Sequence, residues 1–267
     1  MDFIVEYFFN FGEIWGERGR VLEAFWITLK LSIISGALSL AWGLALSVLR
    51  QLPIPSNLPG KVGVYIVRWM TIAYIDIFRG IPLLLVLLLV SSTLGAFASE
   101  GVIPRSLGFP EWLGQTSAFW WGVMSLTITY GAYMAEVYRA GIEAVPAGQS
   151  EAARSLGMSH GQAMRHVIIP QAVRKVIPPL LNDFIALMKD TSLVSILGII
   201  EIVQLGGDLQ SEFFTGAGYI VGALLFLLVT IPLARLIDYQ IAKQQRRTQR
   251  SGSDGDAAPR QTGMAGA

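Results

Sequence analysis

Apolar and polar positions fall in long blocks along this chain, with little short-period alternation. Five apolar runs can be drawn, roughly 21–49, 69–90, 113–135, 176–200 and 213–234. Each reaches the roughly 20 residues that an α-helix needs to cross a hydrocarbon core. The first becomes strongly apolar only after Lys30, and the fourth is interrupted by Asn182, Asp183, Lys189 and Asp190. The pattern therefore predicts an all-α, polytopic membrane protein with about five transmembrane helices. Ahead of the first run, Phe3, Ile4, Tyr7, Phe8, Phe11, Ile14 and Trp15 recur at helical spacing among acidic residues. Residues 1–20 are thus expected to form an amphipathic segment lying in the outer interface. The transmembrane domain occupies 21–240. Residues 241–267 form a basic and then disordered tail, its last part, 251–267, being rich in Gly, Ala and Ser.

Basic residues orient the spans. Arg50, Lys61 and Arg68 lie between the first two. Arg139, Arg154, Arg165, Arg174 and Lys175 lie between the third and fourth. Arg235, Lys243, Arg246, Arg247 and Arg250 follow the fifth. The other side carries Glu100, Arg105 and Glu111 in one loop and Glu201, Asp208 and Glu212 in the next. The basic loops are expected in the cytoplasm, so the N-terminus lies outside and the C-terminus inside.

Composition narrows the chemistry. Charged residues make up 15% of the chain against 53% hydrophobic, with a mean hydropathy of +0.53; soluble domains carry about 25% charge. A net charge of +1 gives no field to attract nucleic acid. The absence of cysteine excludes disulfides, thiolate metal sites and cysteine nucleophiles. His160 and His166 are six apart, the wrong spacing for a helical metal pair. No secretory signal is read at the start, where Asp2 and Glu6 stand in place of basic residues. No inverted repeat of the secondary-transporter kind is found. The Gly218–Gly222 spacing points to close helix packing in the fifth span.

The polar insert before the fourth span has its own local logic. Ser150 is placed to cap a short helix whose first turn carries Glu151. Gly157 suits its left-handed terminus. Ser159 and Gln162 have capping-box spacing, and Pro170 marks a break where the chain turns back. Glu151-Ala152-Ala153, Gly157, Val167, Ile169 and Pro170 together resemble the EAA loop of ABC importer permeases. Residues 130–149, 181–195, 28–32 and 78–84 are similar to the polar amino acid (histidine/glutamine/arginine-type) branch of that family. The resemblance covers most of 20–240. Val167 and Ile169 stand for the usual Ile and Leu, Ile81 for a common Thr, and Val86 for a frequent Gln. The resemblance implies a type I importer permease fold that carries polar amino acids. It makes the segment at about 139–175 a cytoplasmic coupling loop, with Glu151, Ala152, Ala153, Gly157 and Pro170 docking an ATPase dimer. It also implies a second permease subunit (a homodimer or heterodimer), an extracytoplasmic solute-binding protein and location in the cytoplasmic (inner) membrane. This chain itself would hold no cofactor. ATP and Mg would be bound by the partner ATPase, in keeping with the lack of a Gly-Lys-Ser/Thr phosphate loop here.

A charge in mid-span costs on the order of 3 kcal/mol, so Arg79, Asp183, Lys189 and Asp190 need partners or water. Asp183 and Asp190 share one helix face, Asn182 and Lys189 another. One reading is structural, with Asp76–Arg79 and Lys189–Asp190 pairing internally. The other is a zwitterion site: Arg79 clamps a carboxylate, Asp183 or Asp190 accepts an ammonium, and Thr191 and Ser192 add neutral hydrogen bonds. The resemblance favours a mid-membrane site at these positions. Rival functions are a permease for another small solute, or an ion-coupled carrier or channel titrating Asp183 and Asp190. The orientation itself is testable: a tag after Gln244 should label only from the cytosol, and one between Glu100 and Glu111 only from outside. The reverse accessibility would reject the five-span arrangement.

Overall fold

The computed structural model describes residues 7–55, 57–104 and 116–256, with side chains to Lys243; the readings at residues 1–6, Arg105, Glu111, 113–115 and 257–267 lie outside them. The described residues are helical apart from turns and short connections. A single-turn helix α1 (Phe11–Gly16) leads directly into the 33-residue α2 (Arg18–Arg50). α3 (Leu58–Gly80), α4 (Leu83–Ser99) and α5 (Ser117–Glu143) follow. After them come the short helices α6 (Ala147–Ser155) and α7 (His160–Ala163), then the long α8 (Ile169–Asp190). α9 (Ile202–Phe213) and α10 (Ala217–Asp256) complete the chain.

α2 and α10 are each long and apolar enough to cross a membrane alone. Up to four crossings result if two bent helix pairs each count as one span, so the count depends on how broken helices are treated. The second predicted run, 69–90, is one such break. α3 and α4 meet at 110° because Pro82 cannot donate and pushes Ile81 out of the helical region, to φ −93° and ψ 133°. The fourth run is the other break. Beyond Asp190 the chain tightens into a 3-10 turn, Thr191–Leu197, and ends at left-handed Gly198. α9 then departs at 53°.

α9 corrects the reading of 201–212 as a loop: the segment is helical. Glu201 is fully buried and its carboxylate accepts from the amides of Val203 at 3.0 Å and Gln204 at 2.8 Å. It therefore caps α9, and the helix packs Ile202, Leu205 and Leu209 on α2 and on Ala217 at the start of α10. Phe213 ends α9, so the last candidate span begins at Ala217, not at residue 213. α10 continues to Asp256. Residues 251–256 are thus helical where the composition pointed to disorder, because the preceding Lys-, Gln- and Arg-rich turns are strong helix formers. At the other end, Ile14 is buried while Trp15 stays 73% exposed. The carbonyl of Tyr7 is held by Thr215 Oγ1 (2.7 Å) and the amide of Gly216 (2.9 Å).

α5 sits centrally, with Phe119, Trp120, Val123, Leu126 and Tyr130 in a core shared with α2, α4 and α8. Small residues let α2 approach it. A Cβ added to Gly43 would lie 2.9 Å from the Gly131 carbonyl oxygen and 3.0 Å from the Ala135 nitrogen, both backbone atoms that cannot step aside. Gly218 and Gly222 likewise meet α9, at Gly206 and Ile202. Tyr74 ties three helices, accepting from Trp42 Nε1 and donating to the Ile128 carbonyl, each at 2.9 Å. The Gly43 contact predicts that Gly43→Ala destabilises the detergent-solubilised chain by about 1–3 kcal/mol. Gly63→Ala, with nothing near the new methyl, should leave the thermal midpoint unchanged or slightly raised. Equal midpoints for the two variants would show that α2 and α5 are not held at backbone distance.

Candidate functional sites: a charged cavity and a polar helical insert

The α3–α4 break opens a cavity of roughly 480 Å³ lined by Arg79, the Gly80–Leu83 turn, Thr129, Tyr130, Tyr133, Asp183, Ala186 and Asp190. Irregular backbone is tolerated at membrane depth where it lines such a space. Arg79 stands in the last turn of α3. Its guanidinium lies 5.7 Å from the centre of the Tyr133 ring, within cation–π range. The Tyr133 hydroxyl donates to the Arg79 carbonyl at 3.3 Å, which partly satisfies the broken helix end.

Across the cavity, α8 presents Asp183 and Asp190 on one face, two turns apart. The Tyr130 hydroxyl donates to Asp190 Oδ2 at 2.7 Å. Asp183 Oδ2 and Thr129 Oγ1 are shielded from solvent with no hydrogen-bond partner. Among the described residues no ion pair joins Asp76 to Arg79 or Lys189 to Asp190. Arg79, Asp183 and Asp190 thus come together as the pattern anticipated.

The other three predicted residues do not join them. Lys189 is exposed on the neighbouring face with Asn182. Thr191 and Ser192 spend their hydroxyl protons on the Met188 and Lys189 carbonyls, at 2.7 and 2.8 Å, because the 3-10 turn brings those carbonyls within reach. Val86, marked as a lost polar contact, is 2% exposed and packs on the apolar side of α4. Thr129, Tyr130 and Tyr133 were missed. The signal for them was the Gly80-Ile81-Pro82 punctuation, which marks an interrupted span and so the cavity that the tyrosines face.

The polar insert folds as a second unit. Its first helix starts at Ala147 after Pro146, so Ser150 is interior and caps nothing, and Glu151 lies in the second turn. Pro146 is already outside the helix, and its fixed φ of −56° starts the helix earlier than a serine cap would. Gly157 is left-handed, at φ +83°. Its amide bonds the Arg154 carbonyl, and that of Met158 bonds the Ala153 carbonyl, at 2.9 and 3.1 Å, which closes a Schellman motif. Ser159 and Gln162 form the expected reciprocal capping box.

Pro170 makes no break. A π-helical turn, Met164–Ile168, precedes it, and the chain runs on into α8, since one widened turn absorbs the missing donor. Glu151 and Ala152 face solvent, Ala153 is buried, and Leu156 is 81% exposed. Beneath the insert, Arg50 and Arg139 share Glu136, the former at 2.7 Å, and Arg139 also reaches Glu143. These part-exposed pairs contribute about 1 kcal/mol or less each, and they fasten the ends of α2 and α5.

The comparisons with known proteins agree with this arrangement. The model of the family described as "binding-protein-dependent transport system inner membrane component" matches residues 64–246. The chain belongs to that family. It is the permease subunit of an ABC importer, a transport chain whose family implies an ATPase, a binding protein and a second permease as partners. The probable glutamine ABC transporter permease protein GlnM of Bacillus subtilis is 34% identical over 219 residues, 82% of this chain and 90% of that protein. The arginine transport system permease protein ArtQ of the same organism is 33% identical, over 69% of this chain and 73% of its own length. The crystal structure of an amino acid ABC transporter with histidines superposes with a TM-score of 0.72 at 32% identity, covering 86% of this chain and 96% of that one. An inward-facing MetNI methionine ABC transporter shares the fold, with a TM-score of 0.61 at 18% identity.

Proposed function

We propose that this permease carries polar amino acids through the Arg79–Asp183–Asp190 cavity, driven by an ATPase that docks on the α6 insert. The observation that carries the reading is the pairing of opposite charges across one cavity without an ion pair between them. Arg79 is free to clamp a carboxylate with two parallel hydrogen bonds. Asp183 retains a shielded oxygen in want of a donor, which an ammonium supplies. The printed names of GlnM and ArtQ, glutamine and arginine permeases, support the same substrate class. A carrier that only titrates Asp183 and Asp190 has no use for a guanidinium facing them.

Coupling falls to residues 139–175. Glu151, Ala152 and exposed Leu156 give α6 a shallow outer face, Gly157 shapes its end, and Pro170 lies where the insert passes into α8. The insert faces the cytoplasm of the inner membrane, with the N-terminus outside. ATP and Mg reside in the partner. ATP binding draws two such inserts together and turns the cavity outward, and hydrolysis returns it. The segment from Tyr7 to Arg20 lies at the outer end, and the last helix continues past Lys243 toward the cytoplasm.

Coupling is tested by Glu151→Lys, which reverses a charge on the docking face, and Gly157→Val, which costs about 1–2 kcal/mol of left-handed strain. Both should abolish ATP-driven uptake and weaken co-purification of the ATPase while membrane insertion persists. Normal uptake and assembly in both would remove α6 from the coupling role. For the cavity, Arg79→Ala should eliminate substrate-stimulated ATP hydrolysis in vesicles while leaving the complex assembled. Arg79→Lys should recover little, since an ammonium lacks the guanidinium fork. Full stimulation in either variant would refute the clamp.

A further inference from the structure

The charges on the cavity wall do not balance. Arg79 brings one positive charge, and Asp183 and Asp190 bring two negative ones; the other lining residues carry none. Outside the lining, Asp76, one turn before Arg79, and Lys189 are exposed, and Glu136 is engaged by Arg50 and Arg139. A zwitterion brings no net charge and would leave one carboxylate uncompensated where the dielectric is low. An acidic amino acid would deepen the imbalance. A solute with one net positive charge closes it. We infer that the cavity selects cationic amino acids, with the α-carboxylate on Arg79, the α-ammonium on Asp183 and the side-chain cation on Asp190. This assignment rests on the reading of the cavity as an amino acid site.

Spacing along α8 supports the assignment. Seven residues of helix separate the two carboxylates by about 10 Å along the axis. A four-methylene side chain spans roughly 6 Å when extended, and hydrogen bonds of about 2.9 Å at the two ends more than cover the remainder, so they can meet the carboxylates at an angle. Asp183 keeps a shielded oxygen without a partner, so it suits the ammonium that shares a carbon with the clamped carboxylate. Asp190 is held in place by the Tyr130 hydroxyl at the far end. Thr129 Oγ1, 3% exposed and without a partner, is a neutral group on the same wall.

The test is calorimetric titration of the permease purified with its partner subunits but without binding protein, so that only the membrane site selects. L-lysine, L-arginine, L-norleucine, L-glutamine and L-glutamate are compared at one ionic strength. Lysine and arginine should bind at least about tenfold more tightly than norleucine and glutamine, with glutamate weakest. Asp190→Asn should bring lysine to within about threefold of norleucine. Glutamine or glutamate binding as tightly as lysine in the unaltered chain would overturn the cationic selection and leave the amino acid site standing. Absence of binding by all five would overturn the amino acid reading, and this inference with it. A lysine-to-norleucine ratio unchanged in Asp190→Asn would overturn the place given to the side-chain cation. If that variant does not assemble, the panel on the unaltered chain still decides the selection.

Discussion

Inside hydrocarbon every backbone N–H and C=O must be paired, and at Gly80-Ile81-Pro82 the helix that pairs them is interrupted. The interruption is affordable only because the break faces a polar space. A proline without a donor and a preceding residue held extended turn α4 away from α3 at 110°. The turn brings the last helical arginine and the tyrosines of α5 to one place. The cavity therefore follows from an unsatisfied helix end: Tyr133 answers the freed carbonyl of Arg79 and is fixed beside its guanidinium by the same contact.

The wall opposite depends on how closely α5 is held. Gly43 lets α2 meet the α5 backbone, and the Tyr74 relay carries the register to α3. Tyr130 projects from α5 toward Asp190 of α8. A shift of α5 by the width of a methyl group would thus be felt at a hydrogen bond on the cavity. In lipid, where helix association lacks a hydrophobic drive, such backbone proximity and a few hydrogen bonds averaging about 0.6 kcal/mol carry most of the specificity.

What was legible in the sequence was what depends on nearest neighbours in the chain. The Ser159–Gln162 box and left-handed Gly157 are local devices, and both form as their spacing dictates. The common face of Asp183 and Asp190 follows from helical period alone. What was not legible depended on competition between local and distant terms. Pro170 signalled a break, yet a π-helical turn carries the chain through it. Pro82 lay inside an apolar run, and hydropathy sums over such a run without registering a bend. Glu201 read as a loop acid because its burial between α2 and α9 is a tertiary fact. Thr191 and Ser192 lost their place at the site because their protons went to their own 3-10 turn.

The absence of a break at Pro170 has a mechanical side. From His160 to Asp190 the chain is a single strut of α7, the π-helical turn and α8, about 45 Å long at 1.5 Å per residue. Its foot stands in the insert and its tip carries an acid of the cavity. A tilt of about 10° about the foot sweeps the tip through about 8 Å, by the same length, more than the width of an amino acid backbone. A hinge at Pro170 would have dissipated that motion at the membrane surface. The widened turn keeps the helix continuous, so a small rocking at the insert is delivered as a large displacement at the cavity.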